Sequence, residues 1–492
     1  VSLQSLRRWR AICLLLLGAA GLLALAGCYE VRKSAGGGQT DFTPPRVIRA
    51  ADVAVPPGYR VEPVATGLTF PSAVVFDDAN RLYVVEAGYS YGEAWATPRL
   101  LRLEPDGRQS VVAIGKNPPW TGVSFHQGAF YIAEGGHLGR ILRVTLDGRI
   151  TPLAEGLPSL GDHHTNRPVV GPDGWLYFSQ GTVTNAAVVG PDNAEFGWLK
   201  RYPDFHDIPC RDVTLAGRNF ESDNPLTADP EDRVSTGAFS SFGTRTAPGQ
   251  VIRGRVPCSG AIMRVSLAGG QPELVAWGLR NPFGLAFAPD GRLFTTENAF
   301  DNRGSRPVFA APDVLWAVVP GTWYGWPDFA GGMPVIDPRF KPRGKAQPRF
   351  LLARHPNRPP RPAALLGVHS SSNGLDFSRN PAFGYVGQAF IAQFGDMAPN
   401  VDKVLHPVGF KVVRVDVNKG VIEDFLVNRG KQNGPASRIG GAGIERPVDV
   451  RFDQAGTALY VVDFGVMTMG RHGPEPRPGT GVLWRVVRDA GQ

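Results

Sequence analysis

Two short stretches of this chain hold residue types suited to proton and charge transfer. The first is Asp162-His163-His164-Thr165-Asn166-Arg167, two adjacent histidines with an asparagine and an arginine. Histidine exchanges a proton near neutral pH while arginine keeps its charge, so the stretch offers a titratable base beside a fixed cation. The second is Gly278-Leu279-Arg280-Asn281-Pro282-Phe283-Gly284-Leu285. The residue before a proline is held extended, which displays Arg280 and Asn281 from a fixed backbone. Neither stretch suffices alone. A His pair also serves in turns merely to satisfy backbone groups, and Arg-Asn-Pro by itself is a weak motif.

Whatever positions these residues must bring together segments more than a hundred positions apart, and a repeated phrase along the chain does so. Its copies begin at Pro71 (PSAVVFDDANRLYVVE), Thr121 (TGVSFHQGAFYIAE), Arg167 (RPVVGPDGWLYFS), Asn281 (NPFGLAFAPDGRLFTTE), Ser372 (SNGLDF, rejoining at QAFIAQ) and Pro447 (PVDVRFDQAGTALYVVD). Each copy is two short apolar runs about an Asp-Gly-type turn, which is a hairpin signal. A second phrase trails each copy, among them PRLLRLEPDG, GRILRVTLDG and GFKVVRVDVNKG. Strand-rich units repeated at about 45 residues or more predict a β-propeller, here all-β and six-bladed. A β-sandwich with generic hairpins is the plainer alternative, but it gives no reason for a two-phrase repeat. In a propeller the first strand of each unit lines the central channel, so the chemistry belongs at the ends of those strands. The final run VLWRVV is expected to complete a blade begun near Tyr59–Ala65, closing the ring.

The chain has 492 residues, with 61 Gly and 44 Pro for the many turns and 42% hydrophobic residues for a core. Its formal charge is +8, with Lys and Arg scattered among acids. A basic stripe with interleaved aromatics is not visible, which argues against a nucleic-acid partner. Arg7, Arg8 and Arg10 precede an apolar run ending Leu25-Ala26-Gly27-Cys28, the pattern of an export signal with a bacterial lipobox. The expected organisation is a lipoprotein signal over 1–27, a Gly/Thr/Pro-rich tether over 28–56 and the propeller over 57–490. An excursion poor in propeller phrases interrupts the third blade over 186–258. Localisation is expected to be periplasmic or cell-surface, with a membrane anchor at Cys28. Cys210 and Cys258, the remaining pair in the folded part, are expected to form a disulfide that clips the excursion.

Taken together, HHTNRPVVGPDGWLYFSQG, GLRNPFGLAFAPDGRLFTTEN, the Tyr324-Gly325-Trp326-Pro327 segment, GYVGQAFIAQFGD and ERPVDVRFD carry a family resemblance. The chain resembles the soluble quinoprotein glucose dehydrogenase / sorbosone dehydrogenase family from about residue 57 to 488, outside the excursion. The resemblance implies a six-bladed propeller holding pyrroloquinoline quinone (PQQ) and Ca²⁺ at the channel mouth. It makes His163 the general base and places Arg280 beside the reacting quinone oxygen, with Asn281 its hydrogen-bonding neighbour. Arg446 and Arg167 join these two in the expected cofactor-binding set. The backbone carbonyls of Ala299 and Phe300 are the expected Ca²⁺ ligands beside the cofactor's own donors. A sugar or related polyol or aldehyde is the implied substrate, with an electron acceptor that the sequence leaves unidentified. The family's quinone-binding lysine has no equivalent, since Phe394-Gly395-Asp396-Met397 stands there, and one arginine of an expected pair is replaced in Ile444-Glu445-Arg446. His369 ranks below His163 as a base, and Trp120, Trp323 and Trp326 read as core before sugar platforms.

Two other classes stay open on the sequence. One is a metal-dependent lactonase or esterase, using the acids that end the phrases (Glu86, Glu134, Glu297, Asp463) with Asn185 and Asn281 as ligands. The other is a non-catalytic cell-surface binding propeller, because fold does not fix function.

Overall fold

The structure, a computed structural model, describes residues 34–38, 42–90, 94–470 and 473–489. The chain divides into two units, Val1–Ser34 and Ala35–Gln492. The expected export signal and Cys28 lie outside the described residues. Among the described residues no helix is long and apolar enough to cross a membrane.

The second unit is a ring of six antiparallel four-stranded blades. The inner strands are Pro71–Phe76, Trp120–His126, Thr165–Val170, Asn281–Phe287, Ser372–Phe377 and Pro447–Phe452. These are the repeated phrases, each entering its blade where the sequence placed it. Blade two runs through consecutive strands out to Ile150–Leu157, and blade one runs out to Gln109–Ile114 with a short hairpin, Tyr89–Ser90 and Ala94–Trp95, between its second and third strands. The sixth closes the ring, because its outermost strand is Tyr59–Leu68, paired with Gly481–Arg488 from the other end of the chain. The first and last segments are thereby bonded into one sheet.

Burial follows the layering. Blades stack face to face, so the inner strand Pro71–Phe76 is buried at every position, whereas the outer strand Gln109–Ile114 is mostly exposed. Between blades one and two, Val75, Tyr83 and Val85 interdigitate with Trp120, Val123 and Phe130. Each such side chain contributes about 1.5–3 kcal/mol by leaving water, which is why these strands need apolar residues on both faces.

The acids that end the phrases hold the blades' inner corners. Glu86 accepts from the Thr69 N–H (2.7 Å) and pairs with Arg99. Glu134 accepts from the Trp120 indole (3.1 Å) and pairs with Arg140. Glu297 takes the Arg280 N–H and the Trp316 indole. Asp463 takes the N–H groups of Glu445 (2.9 Å) and Arg446 (2.8 Å) and pairs with Arg46 (2.6 Å). These carboxylates are committed to backbone, indole and arginine donors around the entries to the inner strands.

Two excursions leave the ring on one side. The expected one follows Trp175–Gln180 and returns at Ala261–Ser266, clipped by a Cys210–Cys258 disulfide. A second, which the sequence reading did not single out, leaves blade four after Pro312–Ala317 and returns at Ala364–Val368. The two pack on each other through Leu215 and Leu352, with Ala216 N–H donating to Leu351 O at 2.7 Å. Part of the stretch read as a tether is laid against the ring: Val53–Ala54 adds an edge strand to blade five. Gly36, Gly37 and Gly38 are buried against Asp396, Phe410 and Met469, where a Cβ would overlap its neighbours.

Candidate active site at the channel mouth

One cavity of about 160 Å³ is lined by His163, Arg280, Asn281, Ala299 and His369, from the entries to blades three, four and five. Asp162, Asp192, Asp301 and Arg303 complete its polar wall, and Trp198 and Met397 its apolar side. The ring thus brings together segments that are far apart in the chain.

His163 is buried (5% exposed). Its Nδ1 lies 2.7 Å from the Thr182 carbonyl oxygen, and that acceptor fixes Nδ1 as the protonated nitrogen. Nε2 then carries the lone pair. The next residue toward the N-terminus of Thr182 is Gly181, where a Cβ would overlap that of His163 and stand 3.1 Å from Asn281 Oδ1. Burial, reinforced by the Arg280 charge, pushes the His163 pKa well below 6.5. The imidazole is therefore neutral at pH 7, the form a base requires.

Arg280 is 3% exposed and held on all sides. Its guanidinium donates to Asn185 O (3.2 Å), Asn185 Oδ1 (3.0 Å), Asn298 O (3.2 Å) and Asp301 Oδ2 (2.8 Å). Asn281 donates to Asn298 Oδ1 at 2.9 Å and accepts from Asn166 at 3.2 Å. Such a network fixes the cation before any ligand arrives, which is the arrangement that stabilises charge developing on a substrate or cofactor.

Behind Arg280 stands a second arginine. Arg303 bonds Asp162 (2.6 Å), Asp192 (2.8 Å) and Asp301 (3.2 Å). Burial alone would lower its pKa, but the three carboxylates raise it well above the usual value. Burial likewise acts to raise Asp301, yet Arg280 and Arg303 overcome this and hold it low. Asp192, more weakly compensated, is pushed up to about 6. His369 sits 3.9 Å from Asp301 and 3.7 Å from Asp402. Burial acts to lower its pKa, but these acids and Asp313 leave it raised. A raised pKa favours the protonated form of His369, in contrast to neutral His163. Asp301, Arg303 and Asp192 were not singled out from sequence. The Asp-x-Arg of NAFDNRG, just after the acid of the fourth phrase, was the available signal for two of them.

The remaining expected residues are placed apart from this cluster. Arg167 is buried in the channel wall as the ion-pair partner of Asp449 and lines neither mouth cavity. Ala299 faces the cavity, whereas the Phe300 ring belongs to the core, which leaves only its backbone carbonyl for a ligand. Trp120, Trp323 and Trp326 are core residues. Arg446 is fully buried between the rings of Phe394 and Phe410, each 4.9 Å away. Its Nη1 reaches the Asp396 carbonyl at 3.1 Å, while Nε and Nη2 have no hydrogen-bond partner. The Asp396 carboxylate is taken by the amides of Gly37 (3.1 Å), Ala398 (3.2 Å) and Val408 (2.9 Å). A second cavity of about 110 Å³ shares Asn281, Asn298, Ser371 and Met397 with the first and is walled by Phe283, Phe394 and Phe464. Among the described residues no group of three or more His, Cys, Asp or Glu is placed to hold a metal.

No protein-family model matches the chain. Over 182 residues it is 27% identical to quinoprotein glucose dehydrogenase B of Acinetobacter calcoaceticus, a stretch spanning 36% of this chain and 29% of that protein. Among solved structures, the holo PQQ domain of pyranose dehydrogenase from Coprinopsis cinerea matches with a TM-score of 0.54 at 17% identity, covering 92% of this chain and 100% of that one. The PQQ-bound aldose sugar dehydrogenase of Streptomyces coelicolor matches with a TM-score of 0.50 at 17% identity, covering 88% and 99%. The chain is thus similar in part of its sequence to a quinoprotein glucose dehydrogenase, and it shares the propeller fold of PQQ-binding sugar dehydrogenases over most of its length.

Proposed function

We propose that the protein oxidises a sugar, or a related polyol or aldehyde, with PQQ and Ca²⁺ at the mouth of the ring. The observation that carries this reading is the convergence of a neutral, Nδ1-anchored His163 and a fully braced Arg280 on one cavity. The residues fit such a group at its reacting end, where Arg280 and Asn281 would hold it and the Ala299 and Phe300 carbonyls would face the cation. Arg446, fully buried beneath the Gly36–Gly38 segment, lines neither cavity and so is not part of this fit, although its Nε–H and Nη2–H have no partner. When bound, PQQ supplies a two-electron acceptor for hydride, and Ca²⁺ polarises it as a Lewis acid.

His163 takes the substrate hydroxyl proton on Nε2, while Thr182 O steadies the imidazolium that results through Nδ1–H. Arg280 would stabilise the negative charge that a bound acceptor gains on taking hydride. Asp301 and Asn185 hold Arg280 in place, so it need not reorganise during the step. Arg303 pairs with Asp162, Asp192 and Asp301 and offsets part of the negative charge that would otherwise repel an anionic ligand. The lactonase reading loses four of its six expected ligands, since Glu86, Glu134, Glu297 and Asp463 are committed to backbone and indole donors, which leaves Asn185 and Asn281.

Export and lipid anchoring at Cys28 are part of the proposal and rest on the sequence of the first 28 residues. The test is to incubate purified protein with PQQ and Ca²⁺ and follow dye reduction by aldoses. Reduction that needs both and stops with a chelator is expected. No turnover with any aldose, polyol or aldehyde, alongside binding of glycan or protein, would replace the enzyme with a binding propeller.

A further inference from the structure

The formal charge of the chain is +8, and the structure shows where that surplus sits. Between Pro338 and Leu375 the sequence holds eight Lys and Arg and no acid: Arg339, Lys341, Arg343, Lys345, Arg349, Arg354, Arg358 and Arg361. These belong to the blade-four excursion. Where it packs on the blade-three excursion the two enclose a groove of about 620 Å³. Its lining includes Arg218, Arg245, Lys345 and Arg349, with Arg306 beneath, and no Asp or Glu.

The four rim residues are exposed, and among the described residues none forms an ion pair with a carboxylate. Elsewhere exposed arginines such as Arg233, Arg253 and Arg339 are paired. The floor supplies a second, independent sign. Arg306 has a side chain only 1% exposed, with Nη1 on Pro327 O (2.8 Å) and Nη2 on Arg349 O (2.9 Å) and Asp328 (3.2 Å), yet its Nε–H has no partner. Asp328 is shared with His355 and the amides of Leu351 and Leu352, so it does not fully compensate the guanidinium. Holding four like charges around one concavity is unfavourable without an anion between them.

We propose that this groove binds a phosphate-bearing ligand carrying more than one negative charge. Guanidinium forks match phosphate oxygens in pairs, and a doubly charged group uses several cations at once, which a single carboxylate does not. A free phosphorylated small molecule and the phosphate of a lipid headgroup share this chemistry. The site adjoins the channel mouth: Asn185 O accepts from Arg280 and the next carbonyl, Ala186 O, from Arg306 (3.4 Å). It is nevertheless separate from the dehydrogenase reading and stands without it.

The test uses the whole protein and the double variant Lys345→Gln/Arg349→Gln, whose changed side chains are exposed, with folding checked by thermal melting. Pyrophosphate is titrated calorimetrically at fixed ionic strength, and cosedimentation is measured with vesicles of phosphatidic acid, whose phosphomonoester can carry two charges, and of phosphatidylcholine. Saturable pyrophosphate binding, weakened at least tenfold in the variant, supports a soluble ligand. Binding to phosphatidic acid vesicles alone, lost in the variant, assigns the headgroup. Binding of neither probe, binding unchanged in a folded variant, or a signal that NaCl of equal ionic strength reproduces would overturn the proposal.

Discussion

At the scale of the residue, position sets protonation. His163 and His164 are neighbours in sequence, yet they serve different ends. Burial lowers both, and in His163 the Arg280 charge adds to it. His164 faces the apolar cavity instead, and burial alone takes it down to about 4. The unfolded chain accepts that proton near pH 6.5 and the folded chain only near 4, so folding is penalised as pH falls between them. The stability is present above pH 6.5 and is lost progressively on acidification, by about 3 kcal/mol at full protonation. His164→Gln removes this dependence. Melting temperatures of the two proteins should converge, or cross, between pH 7 and 4.5, and parallel curves would contradict the assignment. Gly181 offers a second test, because a Cβ there displaces His163. Gly181→Ala should cut turnover by about 10²-fold, as an ångström-scale misplacement of a catalytic group does, with a far smaller effect on melting. Unaltered turnover would show that His163 needs no such placement.

At the scale of the element, the repeated phrase was legible because each copy meets the same demands. It runs apolar on both faces and turns through Asp-Gly or a similar pair, and in four of the six copies it ends in an acid at its blade's inner corner. The phrase exposed the six inner strands and hence the mouth. Arg446 was legible as a residue but not in its surroundings, since its covering by Gly36–Gly38 comes from a segment whose composition reads as a linker. Arg167 reads as a cofactor ligand from its neighbours, whereas its partner Asp449, 282 positions away, claims it. The blade-four excursion was missed because it shows no phrase, although its Arg/Pro run was visible. The excursion of blade three was read from its gap in phrases and its two cysteines. Joining residues 48 apart, the Cys210–Cys258 bond restricts the unfolded chain. The loop-entropy argument gives about 4 kcal/mol and typical measurements 2–4. The double variant Cys210→Ser/Cys258→Ser should therefore melt earlier and be cut by protease first between 211 and 257. Unchanged melting and protease resistance would mean that packing through Leu215 and Leu352 alone holds the excursion.

At the scale of the whole molecule, the closed ring is what turns scattered residues into a site. His163 and Arg280 are separated by 117 positions along the chain and by the entire blade-three excursion, and only the circular order of blades three and four makes them share a cavity. Ring closure through Tyr59–Leu68 and Gly481–Arg488 fixes that order. The most direct measurement of the central claim is the rate of dye reduction by an aldose in protein reconstituted with PQQ and Ca²⁺, comparing wild type with His163→Ala and Arg280→Ala. Each variant should bind the cofactor pair, melt as a folded protein and turn over at least about 100-fold more slowly, as loss of one acid–base or electrostatic group entails. Wild-type turnover in both folded variants would contradict the account.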